Sequence, residues 1–298
     1  MRLQAPYPQF GGKSAVADLI WTRLGDVPNF VEPFCGSCAV LLNRPSLPGT
    51  ETVNDLNGFL TCFWRSVRAD PIKTAEWAFN PVSECDILAR HKWLLSQREE
   101  LTERMKSDPD YYDPKVAGWW VWGASTWIGS GWCVAEARQL PHLGDAGTGG
   151  PSPAALEQWF LDLQRRLIRV RIACGDWTRV LGPSVAEKHG VTGIFLDPPY
   201  SLEECEDVYG MDSVSGDVAK WAIENGSNPL LRIVVAGYDG EHTFPSNWEC
   251  IHWKARGGMG SQGNGRGRDN AARERLWCSP HCLKAGLFSD FESLSPIE

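Results

Sequence analysis

The 298-residue sequence lacks the features that mark membrane-spanning or secreted proteins. None of its apolar runs approaches the ~18 residues that a membrane helix needs, and its first residues, MRLQAPYPQFGGK, contain no apolar signal core. The ten cysteines are scattered rather than arranged as a disulfide framework. We therefore expect free, mostly buried thiols and a cytoplasmic protein.

The sequence also lacks a regular metal-binding pattern. Cys35 and Cys38 have a Cys-x-x-Cys spacing, but no second pair follows at the distance typical of zinc fingers. A second group is irregularly spaced and comprises Cys250, His252, Cys278, His281 and Cys282. The sequence therefore predicts no metal site, with zinc at the second group as the alternative. No Ser-His-Asp or Cys-His nucleophile set is recognisable either.

The chain as a whole has no excess of basic residues, and its formal net charge is −8. This value excludes a uniformly basic nucleic-acid binder, but one segment near the C-terminus is basic. Around the glycine-rich run GGMGSQGNGRG lie Lys254, Arg256, Arg266, Arg268, Arg273 and Arg275. A cationic loop suits backbone phosphates, although a solvated loop without a ligand would have the same composition.

Short apolar runs alternate with helical patterns along most of the chain. Such alternation is typical of a parallel β-sheet covered by helices, and hence of an α/β fold. The candidate strands are 29–34, 51–55, 170–176, 193–197, 232–238, 248–254 and 275–279. The last two flank the glycine-rich run, which predicts a hairpin.

A long segment of different character separates the second and third candidate strands. Helical patterns such as ECDILARHKWLLSQREELTERM lead into WWVWGASTWIGSGW and the turn-rich PHLGDAGTGGPSP. A connection of this length inside an α/β unit indicates an inserted domain, which we place at 67–154. Ser152 and Pro153 predict the first turn of a helix that returns the chain to the sheet.

Tryptophan is concentrated in this insertion, and two interpretations remain open. The residues concerned are Trp119, Trp120, Trp122, Trp127 and Trp132. They form either a stacking surface for nucleic acid, in which we include Trp127, or the core of the inserted domain. Arg138 and His142, beside the glycine-rich turn, are candidates for contacts with phosphates or base edges.

A strand-to-helix turn near the N-terminus has features of a nucleotide site. The strand ends in EPF (32–34), and CGSC (35–38) leads into the apolar helix start AVLL. Gly36 allows a tight turn at which a ligand can approach the backbone. Asp55 ends the next strand 19 residues later, where a carboxylate can accept ribose hydroxyls. An ordinary tight turn is the alternative.

The dinucleotide fingerprint G-x-G-x-x-G is absent from this turn. Its additional glycines serve a pyrophosphate. The absence therefore disfavours a dehydrogenase and fits S-adenosylmethionine, which has no pyrophosphate.

The tetrapeptide DPPY (197–200) directly follows the apolar strand GIFL. The lone pair of an aromatic amine is delocalised, and two acceptors for its N–H groups would make the nitrogen more nucleophilic. Asp197 offers a carboxylate, and Pro198 offers a carbonyl whose direction the proline rings fix. Tyr200 offers a ring face for an extruded base. The position at the end of a parallel strand favours a ligand site over an ordinary Pro-Pro turn.

These segments resemble the Dam-type DNA adenine-N6 methyltransferases in the alpha order of their motifs. GGK (11–13), EPFxGS (32–37), NDLN (54–57) and DPPY are similar to the family's elements in the same order. The resemblance implies that the cofactor-binding residues are Gly11, Gly12, Lys13, Glu32, Pro33, Phe34, Gly36, Ser37, Asp55, Asp176 and Asp197. It implies that the catalytic residues are Asp197, Pro198, Pro199 and Tyr200.

The resemblance also implies a fold and a substrate. We expect a Rossmann-like, seven-stranded S-adenosylmethionine-dependent methyltransferase sheet formed by 1–66 and 155–298. The insertion would be a mostly helical target-recognition domain, and the substrate an adenine flipped out of double-stranded DNA. Candidate DNA contacts are Trp127, Arg138, His142, Lys254, Arg256, Arg266 and Arg268.

One residue departs from the family pattern, because Cys38 replaces the second glycine of the cofactor turn. We expect this change to alter cofactor affinity at most. The alternatives are methylation of cytosine N4 or of adenine in RNA, or a DNA-binding homologue that has lost catalysis. The sequence does not indicate whether a companion restriction nuclease exists.

Overall fold

A computed structural model describes residues 3–7, 12–46, 49–81, 83–127, 131–134, 152–199, 214–253 and 273–284. A seven-stranded sheet forms its centre, with the strand order β3-β2-β1-β4-β5-β7-β6. The strands are β1 Asn29–Glu32, β2 Thr50–Asp55, β3 Val170–Cys174, β4 Thr192–Leu196, β5 Leu231–Tyr238, β6 Glu249–His252 and β7 Glu274–Cys278. The α/β sheet and all seven strands predicted from the sequence are confirmed, with ends that differ by no more than two residues.

The first five strands in this order are parallel, whereas β7 is antiparallel to both β5 and β6. The pairing of β6 with β7 at the edge of the sheet confirms the predicted hairpin. Because the parallel strands end at the same edge, the residues that follow β1, β2 and β4 are brought together there. The antiparallel strand β7 begins at this edge, since Glu274 is the register partner of Tyr238 at the end of β5.

Five of the α-helices that the structure describes begin after a residue whose side chain accepts a hydrogen bond from an N–H group of the first turn. These caps are Asn57, Asp70, Ser83, Asp113 and Ser152. The helices are α1 Ala17–Leu24, α2 Ala39–Leu42, α3 Gly58–Ala69, α4 Pro71–Ala78, α5 Glu84–Ser107, α6 Pro114–Thr126, α7 Pro153–Leu167, α8 Pro183–Ala186 and α9 Val214–Asn225. The helix predicted from Ser152 and Pro153 is thus confirmed as α7.

Neighbouring residues of the central strands point into two separate apolar layers. Phe30 and Phe195 belong to the layer that contains Trp64 and Phe160. On the other face, a second layer contains Val31, Ile194 and Val235 with residues of α8 and α9. The sheet is therefore covered on both faces, as in other parallel α/β sheets.

Helices α4, α5 and α6 lie within the segment that we assigned to an insertion. Helix α6 contacts α4 and α5, all three helices contact the flanking helix α3, and α4 also contacts α7. Their residues Leu94, Val116 and Trp120 join the first apolar layer rather than forming a wholly separate core. The domain boundaries at 67 and 154 stay a prediction. Across the described part of the chain, no helix combines the length and the hydropathy required to span a bilayer.

Candidate active site

The turn after β1 is held in place by three hydrogen bonds to one residue. Gly36 has a positive φ of 44°, a conformation that glycine adopts without strain. Its carbonyl accepts hydrogen bonds from Tyr7 Oη at 3.0 Å and Trp64 Nε1 at 3.1 Å, and its N–H donates to Asp55 Oδ2 at 3.0 Å. The backbone at which we expect a ligand is therefore fixed from both sides.

Cys38 shows why a glycine would suit the second position of this turn. It is fully buried, lies directly before α2 and has the left-handed conformation φ 53°, ψ 28°. A side chain in this region normally costs about 1–2 kcal/mol. Burial raises the pKa of the Cys35 and Cys38 thiols, so both are poor nucleophiles at neutral pH. All cysteines that the structure describes are free thiols, as expected from the sequence.

Asp55 ends β2 with a half-buried carboxylate that accepts hydrogen bonds from two backbone N–H groups. The Gly36 N–H occupies one lone-pair site on Oδ2, and the Asn57 N–H occupies one on Oδ1 at 2.9 Å. Since a carboxylate has about four such sites, each oxygen can accept a further hydrogen bond. Burial raises the pKa of Asp55, although the two N–H groups oppose this effect. These features fit the two hydroxyls of a ribose.

The neighbouring Asn54 joins the ends of three strands. Its Nδ2 donates to the carbonyls of Pro33 at 3.0 Å and Gly175 at 2.9 Å. The Gly175 N–H in turn donates to the Asp55 carbonyl at 3.1 Å. Asn54 is part of the NDLN segment, but its contacts could not be predicted because the two carbonyls that it binds come from distant segments.

An aromatic pair lies beside these strand ends. Phe34, after β1, and Trp177, after β3, have ring centroids 6.0 Å apart. Trp177 also meets the ring of Trp221 edge-on at 6.3 Å. Asp176 is exposed next to this pair and caps the short helix Trp177–Val180 through Thr178 N. Sequence reasoning identified Phe34 and Asp176 but missed Trp177.

Asp197 follows β4 and forms an ion pair with Lys13. The distance from Lys13 Nζ to Asp197 Oδ1 is 2.9 Å, and Glu274 Oε2 lies 3.7 Å from the same nitrogen. Lys13 and Glu274 are buried, with side chains 3% and 7% exposed, whereas Asp197 is 21% exposed. Pro198 is buried after it. The structure thus brings two predicted site residues, Lys13 and Asp197, into contact and adds Glu274, which was not predicted from the sequence.

Glu32 is a second buried carboxyl near this edge. It ends β1, and its Oε2 accepts a hydrogen bond from Leu41 N at 3.3 Å. Burial raises its pKa well above the usual range, and the negative charge of Asp197 acts in the same direction. Glu32 therefore supports the first turn of α2.

Of the predicted DNA contacts, only Trp127 lies within the described residues. Trp127 is 3% exposed and stacks on His91 with ring centroids 5.3 Å apart, which favours the core alternative for this residue. The other candidate DNA contacts lie outside the described residues and are Arg138, His142, Lys254, Arg256, Arg266 and Arg268. The predicted cofactor-binding residue Gly11 and the predicted catalytic residue Tyr200 also lie outside them.

Within the ranges that the structure describes, no group of three His, Cys, Asp or Glu side chains has an arrangement that could hold a metal ion.

The sequence is similar to one known protein family in its N-terminal third. Residues 10–113 match the family model of the D12 class N6 adenine-specific DNA methyltransferases. No curated protein matches the chain. The matched segment begins before Lys13 and includes the turn after β1 and Asp55, but ends before Asp197.

Proposed function

We propose that this chain is a D12 class N6 adenine-specific DNA methyltransferase, because residues 10–113 match the model of that family, and on that premise we propose the donor and the site of its reaction. The methyl donor is S-adenosylmethionine, and the target is an adenine flipped out of double-stranded DNA. One observation carries the assignment of the site. The ion pair of Lys13 with Asp197 joins the family-matched segment to the DPPY tetrapeptide, which lies outside that segment.

The cofactor site lies at the carboxyl ends of β1 and β2. Asp55 accepts the ribose hydroxyls on the free lone-pair sites of its two oxygens. Gly36 and Ser37 provide the tight turn against which the cofactor lies, with Pro33 in the same segment. Glu32 supports this turn through its hydrogen bond to Leu41 N. Gly11, Gly12 and Lys13 lie beside the methionine part.

The adenine of the cofactor fits the aromatic pair of Phe34 and Trp177. Two rings 6.0 Å apart at the ends of β1 and β3 offer apolar faces next to the ribose position. Asp176 is exposed beside them and can accept a hydrogen bond from the adenine amine. This assignment adds Trp177 to the residues that the sequence indicated.

The target amine is activated by two acceptors. The Asp197 carboxylate and the Pro198 carbonyl each accept one N–H of adenine N6, which makes the nitrogen lone pair available. S-adenosylmethionine supplies an electrophilic methyl group on a sulfonium. As the N–C bond forms, the C–S bond breaks and its electron pair stays on sulfur, so the positive charge passes to N6 until a proton leaves. Pro199 keeps the tetrapeptide rigid, and Tyr200 stacks on the base.

Positioning and electrostatics supply most of the rate in this proposal, since Asp197 forms no covalent bond to the substrate. The segment 67–154 contributes to recognition of the target sequence. The basic segment that contains Lys254, Arg256, Arg266 and Arg268 contributes phosphate contacts. A cytoplasmic location remains part of the proposal.

The experiment is methyl transfer from labelled S-adenosylmethionine to unmethylated genomic DNA, with nucleoside analysis of the product. Wild-type protein should form N6-methyladenine, and Asp197→Ala should lower the rate by at least about a hundredfold because a charge-stabilising acceptor is lost. Asp162→Ala is a matched control, since this carboxylate pairs only with its helical neighbour Arg165 among the ion pairs described. Formation of N4-methylcytosine, or transfer to RNA alone, would contradict the proposal.

A further inference from the structure

We infer that Asn54 is a positioning residue for the adenine part of the cofactor, and this inference rests on the proposed function. Asn54 is the last residue but one of β2 and is only 1% exposed. Because β2 lies between β1 and β3 in a parallel arrangement, the ends of all three strands meet around it. A side chain buried this deeply acts on a ligand through its neighbours.

The amide nitrogen of Asn54 joins the two segments that follow the neighbouring strands. It donates to the Pro33 carbonyl at 3.0 Å and to the Gly175 carbonyl at 2.9 Å. Both partners are acceptors, so the two N–H groups of the amide are both used and its orientation is determined. The Cys35 N–H donates to the Asn54 carbonyl at 2.9 Å and extends the pairing of β1 with β2. One residue therefore connects the backbone after β1 to the backbone after β3.

The two carbonyls that Asn54 binds lie next to the proposed adenine site. Pro33 directly precedes Phe34, and Gly175 lies two residues before Trp177. The rings of Phe34 and Trp177 have centroids 6.0 Å apart. Gly175 has a φ of 142°, so the turn after β3 uses a backbone conformation that other residues disfavour. Without the amide, both carbonyls lose this donor and the two ring-bearing segments can move apart, so that cofactor binding must order them first.

Asn29 provides a matched control at the opposite edge of the sheet. It is the first residue of β1 and is fully buried. Its Nδ2 also donates twice, to the Val185 carbonyl at 2.7 Å and to Thr192 Oγ1 at 2.8 Å. In both asparagines the buried Oδ1 accepts no hydrogen bond from the residues that the structure describes. Replacing either side chain therefore removes two buried hydrogen bonds, but only Asn54 lies at the proposed cofactor site.

The test is isothermal titration calorimetry of the full chain with S-adenosylmethionine, well below the unfolding temperature. We expect Asn54→Ala to raise the dissociation constant roughly tenfold, because ordering of the two segments then opposes binding. Asn29→Ala should lower Tm by a similar amount but change the dissociation constant by less than about twofold. At saturating S-adenosylmethionine and DNA, the single-turnover rate of Asn54→Ala should stay within about threefold of the wild-type rate, since Asn54 does not act on the transferred methyl group. Asn54→Ser can still donate to one carbonyl and should bind with intermediate affinity.

A double-mutant cycle distinguishes positioning from a general loss of structure. If Asn54 acts by holding the segment that carries Trp177, its replacement should matter less once that ring is gone. We therefore expect Asn54→Ala to weaken binding by less than about threefold when it is introduced into Trp177→Ala. Asn29→Ala combined with Trp177→Ala should bind S-adenosylmethionine as Trp177→Ala does.

Four results would overturn the inference: wild-type affinity in Asn54→Ala, equal losses of affinity in the Asn54 and Asn29 variants, additive effects of Asn54→Ala and Trp177→Ala, or loss of the fold in both Asn54 variants. If only Asn54→Ala fails to fold, Asn54→Ser replaces it in each comparison. The proposed function has a separate readout. Wild-type protein that binds no S-adenosylmethionine contradicts that function, whereas normal binding by wild type and by the Asn54 variants contradicts the role of Asn54 alone.

Discussion

The Asp55 carboxylate binds the Gly36 N–H at 3.0 Å and thereby ties the end of β2 to the turn after β1. Its second oxygen accepts the N–H of Asn57, the residue that caps α3. One side chain therefore orders both borders of the proposed ribose site before a ligand binds. Such preorganisation lowers the entropy that binding must overcome.

Replacing Asp55 by Asn should weaken binding of S-adenosylmethionine by roughly tenfold or more, because the amide turns one acceptor into a donor that faces a backbone N–H. Isothermal titration calorimetry measures this change directly. Asp162→Asn, at a partly exposed side chain on α7, provides the control, and DNA affinity should stay unchanged in both variants. Equal cofactor affinity in Asp55→Asn and wild-type protein would remove Asp55 from the proposed site.

The sequence allowed prediction of those parts of the site that depend on local patterns. Strand ends can be read from apolar runs and turn residues, so the positions of Gly36, Asp55 and Asp197 at one edge of the sheet followed from the parallel order. The order of the strands along the chain was sufficient to predict that these three residues lie at the same edge. The same reasoning located the hairpin of β6 and β7.

Contacts between distant segments could not be predicted in this way. Tyr7 and Trp64 both bind the Gly36 carbonyl, yet they precede and follow it by 29 and 28 residues. Glu274 reaches Lys13 only because β7 runs antiparallel to β5, and our predicted strand began one residue after it. The backbone conformation of Cys38 was also hidden, since composition does not reveal a positive φ.

Cys38 offers a test of strain in the turn after β1. Both Cys38→Gly and Cys38→Ala remove the buried sulfur, but only glycine relieves the left-handed conformation at φ 53°. We expect Cys38→Gly to be more stable than Cys38→Ala by about 1 kcal/mol. Urea unfolding of the two variants measures the difference. Equal stabilities would indicate that the turn relaxes when the thiol is lost.

The ion pairs of Glu51 with Arg44 and Arg166 should matter more for stability than for the reaction. Glu51 is almost wholly buried on β2 and accepts hydrogen bonds from Arg166 at 2.6 and 2.7 Å and from Arg44 at 3.1 Å. Glu51→Ala leaves the buried guanidinium of Arg44 and the partly buried guanidinium of Arg166 without this carboxylate and should cost about 3–5 kcal/mol.

Urea unfolding of Glu51→Ala checks this value, and Glu76→Ala is the comparison. Glu76 forms an ion pair with Lys73 on α4, where both side chains are about half exposed. Water screens that pair, so its loss should change stability little. Similar effects in the two variants would show that the Glu51 cluster relaxes or takes up water.

Glu32 makes the stability of the protein depend on pH in a predictable direction. Burial raises its folded-state pKa well above the ordinary value of about 4.3 that the unfolded chain has. Between these two pKa values the folded state binds more protons than the unfolded state, so the contribution of Glu32 to stability falls as pH rises. Glu32→Gln removes the titration and keeps an acceptor for Leu41 N.

The free energies of unfolding of wild-type and Glu32→Gln protein should therefore diverge as pH rises above about 4. The difference should favour the variant increasingly, by up to about 1.4 kcal/mol per pH unit for one proton, and level off above the folded-state pKa. Urea unfolding of both proteins at a series of pH values measures it, and titrations common to both cancel in the comparison. A difference that stays constant with pH would mean that Glu32 titrates alike in the folded and unfolded states, and that its burial is relieved by water or a further donor.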